Sequence, residues 1–112
     1  MRKKILVVDD DQRILNLYMR LFEAVGLSMF DIVTMPDPYL ATEYVLREKV
    51  DVVILDLRMP KVNGQKFYEA LKEYNPELKV IVSSVYPIDK QRKMVPDATG
   101  FVIISCRIRN HL

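Results

Sequence analysis

Five short apolar runs punctuate the chain, at Ile5 to Val8, Phe30 to Thr34, Val52 to Leu55, Val80 to Val82 and Phe101 to Ile104, and stretches of helical periodicity separate them. Alternation of this kind marks βα units wound around a parallel sheet. The runs are β-branched and nearly free of polar residues, which fits strands buried on both faces and demands helices to cover them. Gln12 to Val25 supplies one such helix, with Ile14, Leu17, Tyr18, Leu21, Phe22 and Val25 at spacings of three and four and Gly26 as its stop. Asp37-Pro38 opens a second, a capping carboxylate before a proline at the first helical position, and Leu40, Ala41, Tyr44 and Val45 follow on one face. A third runs from Gln65 to Tyr74 with Phe67, Ala70 and Leu71 inward, and Asn75-Pro76 ends it. The charged stretch between Pro87 and Pro96 has room for a turn or two. A doubly wound α/β domain with strand order 2-1-3-4-5, filling residues 1–112, is the expected architecture; a length of 112 residues suits one core and leaves no room for a separate output domain.

Charge narrows the function classes. Seventeen Lys and Arg against 15 Asp and Glu leave a net charge of +2, which implies neither direct nucleic-acid binding nor an anionic membrane partner without a localised patch. Lys90, Arg92, Lys93, Arg107 and Arg109 read as solvated surface. Cys106 is the only cysteine, so no internal disulfide forms and a reducing cytoplasm is the expected location. The apolar run after Met1-Arg2-Lys3-Lys4 ends at Asp9, far too short for a signal peptide or a membrane span. His111, the only histidine, stands one residue from the end and reads as surface.

The chemistry gathers at strand ends, where ligands of open α/β sheets bind. Asp9, Asp10 and Asp11 follow the first strand, Asp56 follows the third, and Ser83 and Ser84 follow the fourth. With strands one and three adjacent, these carboxylates converge. Clustered carboxylates must take up protons, separate or bind a compensating cation, and Mg²⁺ prefers such oxygen ligands. An acidic run after a strand is also simply a helix N-cap; Asp56, on a different strand, is what that reading leaves unexplained.

The run Ile5-Leu6-Val7-Val8-Asp9-Asp10-Asp11, together with Asp51-Val52-Val53-Ile54-Leu55-Asp56-Leu57-Arg58-Met59-Pro60 and Gly64, closely resembles response-regulator receiver domains of two-component signalling, over nearly the whole chain. The resemblance implies a flavodoxin-like fold, Asp9 and Asp10 as Mg²⁺ ligands, Asp56 as phosphoacceptor and metal ligand, and the Arg58 backbone carbonyl as a further ligand. Asp11 falls outside that set. Counting through the fourth strand, Ser84 aligns with the family's switch hydroxyl and Ser83 is the neighbouring alternative, since a one-residue error selects the wrong face. Phe101, in Gly100-Phe101-Val102-Ile103, resembles the aromatic switch residue; a plain packed aromatic is the other reading.

Three departures stand out. Ile104 occupies the family's lysine position and Ser105 the proline after it, and isoleucine supplies none of the roughly 1.5–3 kcal/mol of a charge-assisted contact to a phosphoryl oxygen. Arg107, three residues on, has no supporting geometry as a substitute. Val85 stands where alanine or glycine usually follows the switch hydroxyl, and a β-branched side chain there narrows access. After Ile104 eight residues remain, too few for the fifth amphipathic helix, so the C-terminal helix is expected to be truncated or absent. Phe101 to Ile108 permits one long strand, which suggests a homodimer through the fifth-strand face; a truncated fragment with a disordered tail is the other account.

Three functions follow. The first is a phosphoryl-accepting signalling module, served by a histidine kinase or phosphotransfer protein and read by a downstream protein target. The second is a degenerate receiver kept as an interaction module. The third, a metal-dependent phosphatase of a haloacid-dehalogenase kind, also begins with a strand and an aspartate nucleophile, and ranks below the other two. The intact acceptor favours the first, as a stand-alone regulator that is not itself an enzyme.

Overall fold

In the computed structural model, which describes residues 2–26 and 29–104, apolar runs become strands and amphipathic stretches become helices. β1 (Lys3–Val8), α1 (Gln12–Val25), β2 (Phe30–Met35), α2 (Pro38–Arg47) and β3 (Val52–Leu55) come first. A ribbon of two short strands follows, β4 (Arg58–Met59) and β5 (Val62–Asn63), and then α3 (Gly64–Tyr74), β6 (Lys79–Ser84), α4 (Ile88–Met94) and β7 (Gly100–Ile103). Five strands form one parallel sheet in the order β2-β1-β3-β6-β7, which is 2-1-3-4-5 once the ribbon is set aside. β1 pairs on both sides, Ile5 lying opposite Ile32 on β2 and Val52 on β3. The strand order reverses there, so the C-terminal ends of β1 and β3 open onto a crevice. The ribbon was not legible from hydrophobic periodicity, because two-residue strands carry none.

Alternation along the strands sends side chains into two unequal cores. Leu6, Val8, Val53, Leu55, Val80 and Val82 face α2 and α3, where Ala41, Val45, Tyr68 and Leu71 meet them. Ile5, Val7 and Ile54 face α1, and among buried residues only Leu15 joins them, with Tyr18 and Phe22 packed alongside. α1 starts where Asp11 accepts a hydrogen bond from the Arg13 amide, and ends at Gly26, whose φ of 104° is a conformation that favours glycine. α2 starts as expected, with the Asp37 carboxylate accepting from the Tyr39 amide.

Several residues expected inward are not. Leu21 is 52% exposed, Val25 65% and Leu40 51%, and Ala70 is exposed as well. In α1 the inward stripe runs through Leu15, Tyr18 and Phe22, and Leu17, Leu21 and Val25 form the ridge beside it. In α3 Tyr68 takes the buried place and donates its hydroxyl to Asp97 at 2.9 Å. Of the long strand expected over Phe101 to Ile108, β7 covers the part through Ile103; the rest of it, the strand-paired dimer and the expected truncation of the fifth helix concern residues 105–112, which lie outside the described residues. Among the described residues no helix is long and apolar enough to cross a membrane.

Gly64 opens α3 against the loop after β3. A Cβ at Gly64 would lie 2.6 Å from the Leu57 Cα, and backbone cannot yield as a flexible side chain would. Gly64→Ala should therefore lower stability by about 1–3 kcal/mol. Urea denaturation checks this, and an unchanged midpoint would show that α3 can shift freely away from Leu57.

Candidate functional site

Parallel register sets the site. Val8 lies opposite Leu55, so the next residues, Asp9 and Asp56, leave neighbouring strands side by side. The Asp56 amide donates to the Val8 carbonyl at 3.1 Å and the Asp9 amide to Met35 at 3.3 Å, which carries sheet bonding past the strand ends and fixes both backbones. One carboxylate oxygen from each of Asp9, Asp10 and Asp56 lies within 4.8 Å of the others. Asp9 and Asp56 are buried, at 2% and 3% exposure, and Asp10 is at the surface. Asp11 turns aside, capping α1 and pairing with the Arg13 guanidinium at 3.1 Å.

Backbone amides hold the two buried carboxylates. Asp9 Oδ1 accepts from the Asp11 amide at 2.8 Å, and Asp56 Oδ1 from the Arg58 amide at 2.9 Å. Burial pushes the Asp9 carboxyl up to about 7; the Asp11 amide opposes this, and negative charge at Asp56, Asp10 and Asp11 adds to it. Three oxygen donors around a space that resists accumulating negative charge match what a hard divalent cation needs. The residues fit Mg²⁺.

The hydroxyl beside this trio is Ser83. Leu55 lies opposite Val82 in β6, so Ser83 stands one step on, level with Asp56. Val82 packs into the larger core, and alternation returns Ser83 to the α1 side, where the Tyr18 hydroxyl reaches its Oγ at 2.6 Å. Ser84, expected from counting along the strand, points to the other face and accepts from the Tyr86 amide at 3.3 Å. Of the two serines, the register thus brings Ser83 level with Asp56 and leaves Ser84 facing away.

Helical spacing assigns Tyr18 to the core and carries no sign of its hydroxyl contact. Burial raises its phenol above the usual range, the bond to Ser83 opposes that, and charge at Asp9 and Asp56 adds to it. No spacing rule signals such a contact, since helical periodicity reports where a ring packs and not where its oxygen ends. Phe101 lies opposite Val82, half-buried against the larger core, with the Arg92 guanidinium 4.9 Å from its ring centre. Ile104 is buried at 7% exposure, and its amide donates to the Ser84 carbonyl at 2.8 Å. Arg58 lines a cleft with Asp10, Asn63, Gln65, Tyr86 and Met94.

A parallel sheet of this order, with a carboxylate trio at its reversal point, defines the flavodoxin-like class of α/β proteins that bind ligands at the strand C-termini. The family model described as "Response regulator receiver domain" matches residues 5–107, and the chain belongs to that family as a receiver domain of two-component signalling. A curated relative, protein-glutamate methylesterase/protein-glutamine glutaminase 4 of Anaeromyxobacter dehalogenans, is 30% identical over 95% of this chain and 30% of its own length. Its counterpart numbered 2 in Shewanella sp. strain MR-7 is 40% identical over 73% of this chain and 23% of its own. The chain thus spans less than a third of either relative. Among solved structures, the response regulator TrrA of Thermotoga maritima in complex with Mg(2+)-BeF superposes with a TM-score of 0.80 at 25% identity, covering 96% of this chain and 91% of that one. TrrA in complex with the histidine kinase ThkA matches with a TM-score of 0.79 at 26% identity, covering 92% and 86%.

Proposed function

We propose that this receiver domain accepts a phosphoryl group on Asp56 from a histidine kinase or phosphotransfer protein, with Mg²⁺ bound by Asp9, Asp10, Asp56 and the Arg58 carbonyl. The observation that carries the reading is the buried Asp56 carboxylate held against Asp9 and Asp10, its Oδ1 fixed by the Arg58 amide. The TrrA structure with Mg(2+)-BeF and the ThkA complex support both the cation and the kinase partner.

In the reaction an Asp56 carboxylate oxygen attacks phosphorus, the new O–P bond forms as the donor's bond breaks, and the donor's leaving group departs with its electron pair. The Arg58 amide holds Asp56 Oδ1 at 2.9 Å and so orients the carboxylate. Ser83, level with Asp56, is placed to donate its hydroxyl to a transferred oxygen. Bound Mg²⁺ would neutralise charge on the transferred oxygens. Phe101 is the aromatic that would respond across β6, and the signal passes to a downstream protein in the cytoplasm. The activity named for the methylesterase relatives is not extended to this chain, whose residues 5–107 are accounted for by the receiver domain.

Incubation with acetyl phosphate and Mg²⁺, followed by intact mass, tests the reading. One phosphoryl group should be gained, and Asp56→Ala should abolish the gain. A folded wild-type chain that gains no phosphoryl group at saturating Mg²⁺ would leave the domain an interaction module alone.

A further inference from the structure

The Tyr18 ring sits in the smaller core with its hydroxyl 2.6 Å from Ser83 Oγ. Between these two hydroxyls the phenol is the more acidic and therefore the natural donor. With one lone pair of Ser83 Oγ engaged by the phenol, the serine proton is free to turn elsewhere, and the neighbouring acceptor level with Ser83 is Asp56. A hydroxyl that receives one hydrogen bond also donates a stronger one. The chain lacks an ammonium at position 104, so a polarised serine matters more here than it would beside a lysine.

We propose that Tyr18 is a positioning residue for phosphoryl transfer, fixing and polarising the Ser83 hydroxyl so that it donates to the group arriving on Asp56. This rests on Asp56 being the acceptor. Tyr18 does not exchange a proton in the step: the O–P bond to Asp56 forms, the donor's O–P bond breaks, and the phenol stays protonated throughout. Its contribution is the orientation of one hydroxyl, on the scale of a single hydrogen bond.

The test is a double-mutant cycle on the acetyl phosphate labelling rate at saturating Mg²⁺, using wild type, Tyr18→Phe, Ser83→Ala and the double variant. Tyr18→Phe keeps the ring in the core and removes only the oxygen; thermal melts of all four proteins verify the fold. Expected is a loss of roughly three- to tenfold for Tyr18→Phe, the scale of one neutral hydrogen bond, and no further loss when Tyr18→Phe is added to Ser83→Ala. A structural role for the phenol would instead give the same loss in both backgrounds. Equal labelling by Tyr18→Phe and wild type, or losses that multiply in the double variant, would overturn the proposal while leaving Asp56 as acceptor. A wild type that takes no label would overturn the acceptor reading, and this one with it.

Discussion

Asp9→Asn should do two opposite things: reduce Mg²⁺ affinity by at least about a hundredfold, and raise the melting temperature in EDTA at pH 8 by roughly 10 °C, the equivalent of about 2 kcal/mol for a domain of this size. Burial holds the Asp9 carboxyl near 7 in the fold against 3.8 in the unfolded chain. At a pH below 3.8 the carboxyl is protonated in both states and stability is unaffected. As pH rises from about 4 to about 7 the unfolded state gives up its proton first, and the cation-free fold loses stability, on the order of 4 kcal/mol if the whole difference is expressed. Asparagine removes that pH dependence. Its amide oxygen can still accept from the Asp11 amide, the bond Asp9 makes at 2.8 Å, so the loop keeps its shape. Mg²⁺ acts in the other direction, because it binds the deprotonated trio: affinity should rise through pH 7 and level off above it. Differential scanning calorimetry in EDTA from pH 5 to pH 8, with Mg²⁺ titrations alongside, checks both arms. A wild-type melting temperature that does not fall across that range would refute the buried-charge account.

The fold was legible because its signals are local and periodic. The βα alternation and the Asp37-Pro38 cap each rest on a few consecutive residues, and the structure returns α1 at Gln12–Val25 as read. What failed was the assignment of faces. Leu21 and Val25 satisfy helical spacing as well as Leu15 does, yet Leu15 is buried and they are not, because three-and-four spacing defines a stripe without fixing its centre against a particular sheet. Gln91 shows the same limit. It stands in a charged stretch, but it is fully buried and donates to the carbonyls of Tyr86 and Val102 at 2.7 and 3.1 Å, tying the loop after β6 to β7.

The site was half legible for a related reason. Asp9, Asp10 and Asp56 are read from motifs that follow strands directly, and the register brings them together without further information. Ser83 against Ser84 is a question of parity along one strand, and sequence counting from Pro76 cannot settle parity when the loop before β6 has no fixed length. The paired register with β3 supplies the missing parity and puts Ser83 level with Asp56. Tyr18 lies beyond either method, since its role comes from where a long side chain ends after packing.

Ile104→Lys should speed labelling by acetyl phosphate about tenfold to a hundredfold at saturating Mg²⁺, the range of one charge-assisted hydrogen bond to a phosphoryl oxygen. Position 104 follows β7 and Asp56 follows β3, with β6 between them, so two strand spacings, about 10 Å, separate the backbones. A four-carbon lysine stem on one side and a phosphorylated aspartate on the other reach toward each other across that gap, over Ser83. The site is already buried, with Ile104 at 7% exposure, so an ammonium there loses water and needs the acidic trio as its partner. That partner also makes the outcome sensitive to the cation, since Mg²⁺ and the ammonium compete for the same negative charge, and a modest loss of Mg²⁺ affinity should accompany the faster transfer. Ile104→Met, of similar size and without charge, separates electrostatics from altered packing and should leave the rate near that of wild type. Stopped labelling reactions read by intact mass measure all three proteins. If lysine and methionine label at the same rate, the loss of the ammonium is not what limits this receiver.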